Sequence, residues 1–557
     1  MDENLRSELR RTLTRNVKLA PLLAEALAGF LHRQPEGARV ALYGCGTFAK
    51  ALVERHPEAL SRLDTRFVMS ESGNTAVYCG YPVVSPITLA ADPPHVVVLL
   101  SATFAHEMLG NLTSFPRERV VTLDDVVEAY GLERLLTKVR KAITLHVAAE
   151  VERMRRELPA GRKLIVFFTQ QAPQHMVKTM REACRLGYAV AVVVERAQVT
   201  SSISLTHYAG KGYFHSLYEA QFIASLEFLA LERALHPVLT HAEAGMWSAE
   251  PLAYVMELKT APIAVEYRDF KQTVFASDAD GMAAMRLTPE DYAREMAAQR
   301  RVYTLADGVI MKDAPDVLDF LEERYGVRQQ NILRFYHYFS EGMTAPSNVE
   351  KFSAATGELH VVYAGGVVND PNWHNYPIYK SLLDAGRILA EQGIHLTIYN
   401  AGDSSGQGYE EYLRLDEECP YFHYNFAVPY DALKDVLPRH DFGWFCFDFS
   451  KARENPFFLK ITMGSKVFTY LEAGLPVLVS PEQSFIADII TNQQQTGVAV
   501  SFRQLPKLAA ILTDLDRARL AANIARARAE WTYETHASRL GAFYRGLADV
   551  ARTGKKP

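Results

Sequence analysis

Cysteine is scarce in this chain. Cys45, Cys79, Cys184, Cys419 and Cys446 are five among 557 residues, an odd number without a C-x-x-C pair. That excludes a disulfide scaffold and a paired-cysteine zinc or redox motif, and the five read as reduced, mostly buried thiols. Long apolar runs are missing too. Leu164–Phe168, Val96–Leu100 and Ala189–Val194 are of strand length, against the ~20 residues of a membrane-spanning helix. Charged residues alternate over residues 1–16, where a signal peptide has an apolar core, so the expected location is cytoplasmic. Nor is there an excess of positive charge. Sixty Lys+Arg against 65 Asp+Glu leave a formal net charge of −5, with no basic field to gather nucleic-acid phosphates.

The composition is that of a folded protein, 48% hydrophobic and 22% charged, and at about 150 residues per domain the length calls for three or four domains. Short β-branched runs alternate with helical patterns along most of the chain, the signature of α/β folding around parallel sheets. The pattern restarts twice, predicting three Rossmann-like domains. The expected boundaries are an N-terminal domain over 1–127, a helical connector over 128–160, a second domain over 161–345, a third over 356–530 and closing helices over 531–557. The connector carries a basic stripe, read as a solvated face.

In open parallel sheets ligands sit beyond the carboxyl ends of the strands, which confines the search to strand-end loops. The third domain has Val361-Val362-Tyr363-Ala364-Gly365-Gly366, a strand running into a double glycine where backbone amides can approach an anion. A tight turn without ligand explains the pair equally well. Farther on, Met463-Gly464-Ser465-Lys466 opens a helix that Gly474 stops and Pro476 follows with a short strand. Ser465 and Lys466 would bring a hydroxyl, a cation and the positive helix end to one phosphate.

Lys466-Val467-Phe468-Thr469-Tyr470-Leu471-Glu472-Ala473-Gly474-Leu475-Pro476-Val477-Leu478 resembles the donor-site pattern K-x-x-E-Y-L-x-A-G-x-P-V-V of GT-B type nucleotide-sugar glycosyltransferases. Tyr430 to Gly443 is similar to the helix and strand entry upstream of it, and Glu530 to Tyr544 to the family's closing helices. Leu305 to Ile310, Leu321 to Gly326 and Val238 to Glu243 extend the resemblance to the second domain. It implies a GT-B pair with an interdomain cleft, preceded by an accessory Rossmann-like domain. The implied activity is transfer of a sugar from a nucleotide-activated donor to a glycan, lipid-linked or protein acceptor, with no cofactor and no metal. The donor residues would be Gly365, Gly366, Ser465, Lys466, Thr469, Tyr470 and Glu472. Thr469 stands where many retaining members have Glu, and no Arg follows the double glycine directly. Asp278-Ala279-Asp280 falls in a Ser/Asp/Gly-rich stretch read as a loop, so it offers no strand-flanked D-x-D for a metal.

For the acceptor proton, a His or carboxylate at a strand end is required. His241, Glu243 and Asp269 are the leading candidates and His175 a further one, with His241 and Glu243 expected to face the cleft. Each is also compatible with a satisfied core group. In the N-terminal domain a strand runs into Gly44-Cys45-Gly46-Thr47-Phe48-Ala49, and Glu71 ends the next strand. Gly44, Gly46 and Glu71 could form a second nucleotide site, or the domain could be a ligand-free module for acceptor recruitment or self-association. Two other classes stay open: an inactive nucleotide-sugar-binding scaffold, and an NAD(P)-dependent oxidoreductase using the first domain.

Overall fold

The computed structural model describes residues 3–69, 77–101, 105–113, 115–171, 174–196, 204–244, 249–346, 349–368, 376–401 and 408–553. The chain divides into two compact units, one of residues 1–151 with 220–231, the other of 152–219 with 232–557.

The first unit holds one six-stranded sheet. Its order is Val77–Tyr78, Tyr81–Val84, Asp64–Val68, Arg39–Tyr43, Val96–Leu99, Val120–Val121, parallel except for the first pair. The helix Glu3–Arg15 carries Glu8, which accepts from the Ser225 backbone N–H at 3.2 Å and from its hydroxyl. Asn16 donates to the Gln221 carbonyl at 2.8 Å. The segment 220–231 is thereby tied to the start of the chain. The helix Leu132–Glu157 buries Leu135, Leu136, Val139, Ile143, Val147, Val151 and Met154 on one face and leaves Arg134, Arg140 and Lys141 exposed, as its periodicity requires.

The second unit holds two parallel sheets. In one the order is Ile332–Arg334, Gly308–Met311, Ile263–Tyr267, Leu239–Ala244, Leu164–Gln171, Ala189–Arg196, Ser216–Glu219. In the other it is Phe422–Phe426, Ile394–Asn400, Leu359–Gly365, Phe442–Phe445, Val477–Val479, Gly497–Ala499. Both reverse direction beside their first strand, the doubly wound order that opens a crevice at the carboxyl ends. The expected α/β class, with three sheets of largely parallel strands, is thus realised. The helix Tyr533–Thr553 returns from the third sheet to the second, burying Tyr533, Leu540, Tyr544 and Leu547.

Three local readings are corrected. His241, expected at a strand end, falls mid-strand, because the strand runs from Leu239 to Ala244. Asp278-Ala279-Asp280 opens a helix, Asp278–Met285, because Ser277 accepts from the Asp280 N–H and caps it. Of the five thiols only Cys446 is buried, and Cys79 is exposed. No described helix is long and apolar enough to cross a membrane.

Candidate active site

The strand Leu359–Gly365 lies at the switch point of the third sheet, and its end is shaped by one close approach. A Cβ on Gly365 would fall 2.0 Å from Cε of Lys466, so the absent side chain is the space the lysine stem occupies. Tyr363 donates to the Gly366 carbonyl at 2.8 Å and fixes the turn. Nζ of Lys466 stands 5.7 Å from the Tyr363 ring and 5.8 Å from that of Tyr379. No described carboxylate pairs with it. Lys466 opens the eight-residue helix Ser465–Glu472, whose N-cap Gly464 supplies no side-chain cap. Its first N–H groups are left for a ligand.

Gly365, Gly366, Tyr379, Gly464, Ser465 and Lys466 line a cavity of about 430 Å³. Gly365, Gly366, Ser465, Lys466 and Thr469 contribute from the third sheet; His175, Arg268, Asp269, Lys312 and His337 contribute from the second. The two groups of strand ends therefore share one space.

On the second-sheet wall, charged side chains are held in pairs. Nε2 of His175 is 3.2 Å from Oε1 of Glu266, whose other oxygen is 2.9 Å from Nε2 of His241. Burial pushes the Glu266 carboxyl up, but the two imidazoles outweigh it and hold the group well below the carboxylate range. Behind them the ring of His241 stacks on Phe167 at 4.8 Å, and its Nδ1 is 2.6 Å from the Tyr544 hydroxyl. Glu266, His241 and Tyr544 thus form a hydrogen-bonded chain running into the core, with Nε2 of His175 at ion-pair distance from its outer end. Lys312 lies 3.2 Å from Asp269 and 2.9 Å from Asp313. Burial lowers its basicity, yet the two carboxylates leave it raised. Arg268 is 3.1 Å from Glu243, which also accepts from Thr169 at 2.9 Å.

His241, Glu243, Tyr470 and Glu472 do not line the cavity. His241 is fully buried because its strand continues past it and the helix Tyr533–Thr553 covers that face. Glu243 sits behind Arg268. Tyr470 accepts from the Ala364 N–H and donates to the Trp444 carbonyl, each at 3.0 Å, joining its helix to two strands. Glu472 pairs with Lys178 at 2.8 Å and accepts from the Ser340 N–H at 2.7 Å. Asp269 and His175 do reach the cavity, as do the glycine pair, Ser465, Lys466 and Thr469.

Arg268, Lys312 and His337 escaped the sequence reading. Arg268 and Lys312 each follow directly on the last residue of a strand, Tyr267 and Met311. The strand-end rule reaches both once the boundaries are known. His175, Glu266 and His337 place three potential ligand atoms within 4.8 Å of one another. However, the two imidazoles are stacked face to face at 4.1 Å and 12°. Their nitrogen lone pairs therefore lie in separate, nearly parallel planes.

In the first unit, Gly46 is the N-cap of the helix Thr47–Arg55 without a side-chain cap, and Gly44 has φ +114°. Tyr78 donates to the Gly46 carbonyl at 3.4 Å. Glu71 lies outside the described residues.

No protein-family model matches the chain, and no curated protein matches it. Solved structures do. Sucrose-phosphate synthase from Thermosynechococcus elongatus is 15% identical, with a TM-score of 0.49, covering 70% of this chain and 100% of that one. The catalytic domain of starch synthase IV from Arabidopsis thaliana, bound to ADP and acarbose, is 9% identical with a TM-score of 0.46 and covers 70% and 100%. A putative UDP-N-acetylglucosamine 2-epimerase from Listeria monocytogenes is 10% identical with a TM-score of 0.43 and covers 71% and 98%.

Proposed function

We propose that the second unit is a glycosyltransferase that moves a sugar from a nucleoside-diphosphate donor to an acceptor hydroxyl. The observation that carries this reading is the sharing of one cavity by two complementary walls: Lys466 with an uncapped helix start and a glycine pair, and His175 backed by a carboxylate. Residues 161–345, apart from 220–231, then form the acceptor half and 356–530 the donor half, while residues 1–127 recruit or orient the acceptor or mediate self-association.

The donor diphosphate lies against Gly365 and Gly366, where N–H groups and the Lys466 ammonium meet its charge. The Glu266 carboxylate beside Nε2 of His175 favours a positive charge on that ring, and the other ring nitrogen takes the proton of the acceptor hydroxyl. The freed oxygen bonds to the anomeric carbon as the bond from that carbon to the diphosphate breaks. The departing electron pair stays on the phosphate oxygen, where Lys466 stabilises it. His241 does not meet substrate; it holds Glu266.

The test is a panel of nucleotide sugars with sugar and glycan acceptors, read for released nucleotide and glycosylated product. His175→Ala is expected to lower turnover on the order of 10²–10⁴-fold, the usual contribution of a positioned base, with nucleotide affinity unchanged. Isomerisation of the sugar without transfer, or nicotinamide reduction, would contradict the reading.

A further inference from the structure

Two polar side chains on the cavity wall each carry one oxygen without a hydrogen-bond partner among the described residues. Glu454, which precedes the helix Pro456–Ile461, is 6% exposed, and its Oε2 meets no hydrogen-bond donor among the described residues. Gln483, which precedes the helix Ser484–Asp488, is 7% exposed, and its Oε1 is likewise unmet. Both line the same cavity as Lys466. An acceptor buried without a donor costs free energy, so neither oxygen is explained by folding. Burial pushes the Glu454 carboxyl up to about 7.

The backbone around each residue is fixed. Asn455 N–H donates to the Val274 carbonyl at 2.9 Å, Glu454 bridges Phe275, and the Asn455 side chain accepts from the Phe457 N–H at 2.9 Å. Ser484 donates to the Lys460 carbonyl at 3.5 Å, joining the two helices. Phe458 and Leu459 of the first helix present apolar surface to the cavity. Apolar surface combined with acceptor oxygens is the complement of a sugar ring, whose C–H faces pack while its hydroxyls donate. Both residues also belong to the chain segment that carries Lys466, which favours the sugar of the donor over that of the acceptor.

We propose that Glu454 and Gln483 form a subsite that holds hydroxyl groups of the donor sugar and so selects which sugar is transferred. This rests on the nucleotide-sugar reading above. The test is calorimetry with UDP, ADP and GDP, and with the glucose, galactose and N-acetylglucosamine conjugates of whichever diphosphate binds. Glu454→Leu and Gln483→Leu are each expected to keep the affinity for the bare diphosphate within about twofold. Each is expected to weaken the tightest conjugate on the order of tenfold, the effect of one lost hydrogen bond to a polar or charged group. Their melting temperatures should equal or exceed that of the wild type. Equal loss for diphosphate and conjugate, or no loss for either, would overturn the subsite. If the variants lose affinity only for a sugar acceptor, the subsite belongs to the acceptor and the proposal fails. A wild-type protein that binds none of the three diphosphates overturns the nucleotide-sugar reading itself, and the subsite with it.

Discussion

Gly365 and Lys466 compete for one small volume, and only a residue without a Cβ leaves room for the lysine. Gly365→Ala is therefore expected to push the ammonium off the glycine loop and copy Lys466→Ala. A charge-assisted phosphate contact is worth about 1.5–3 kcal/mol, so each variant should bind nucleoside diphosphate on the order of ten- to a hundredfold more weakly. Calorimetry on both decides it, and undiminished binding by either would remove the lysine from the site. Lys466 was legible in the sequence because its meaning is local: a glycine, a helix start and a following strand lie within a few residues. His241 was misread because its role depends on where its strand stops and on Tyr544, 303 residues later. Glu454 gave no signal, since a carboxylate in a loop acquires significance only when packing removes its partners.

At the level of elements, the helix carrying His175 and the helix carrying Lys466 are joined by one buried ion pair. Lys178 and Glu472 expose 4% and 3% of their side chains at 2.8 Å separation, and Lys178 also donates to the Tyr338 carbonyl at 3.0 Å. Burial lowers the lysine and raises the carboxyl, outweighing their attraction at each group. Removing one partner strands the other charge, at a cost of about 3–5 kcal/mol, whereas replacing both with apolar residues relieves it. Lys178→Met should accordingly lower stability in urea by that amount, and Lys178→Met with Glu472→Leu should recover most of the loss. Single variants within 1 kcal/mol of the wild type would show that the pair carries little. The strands themselves were readable from β-branched runs bounded by glycine and proline. Their exact ends were not, because a strand continues wherever a neighbour offers hydrogen bonds, as Ile263–Tyr267 does for Leu239–Ala244.

For the whole molecule, three repeats of strand and helix announced three parallel sheets, and that periodicity survives folding because each sheet is built from near neighbours in sequence. What periodicity could not convey is that residues 220–231 pack with the start of the chain, through Glu8 and Ser225 and through Asn16 and Gln221. Polar contacts between segments some 200 residues apart leave no local pattern. Two loops in this molecule have the strand-to-glycine form that cradles phosphate, Gly44 to Gly46 in the first unit and Gly365 to Gly366 in the second. The second shares its cavity with Lys466, which pairs with no described carboxylate, and with a carboxylate-backed histidine. A crystal of the full chain soaked with a nucleotide sugar separates them most directly. The expected result is diphosphate within hydrogen-bond reach of Lys466 and the Gly365–Gly366 backbone, with the anomeric carbon turned toward His175. Nucleotide bound at Gly44–Gly46, with the cavity of the second unit unfilled, would contradict it.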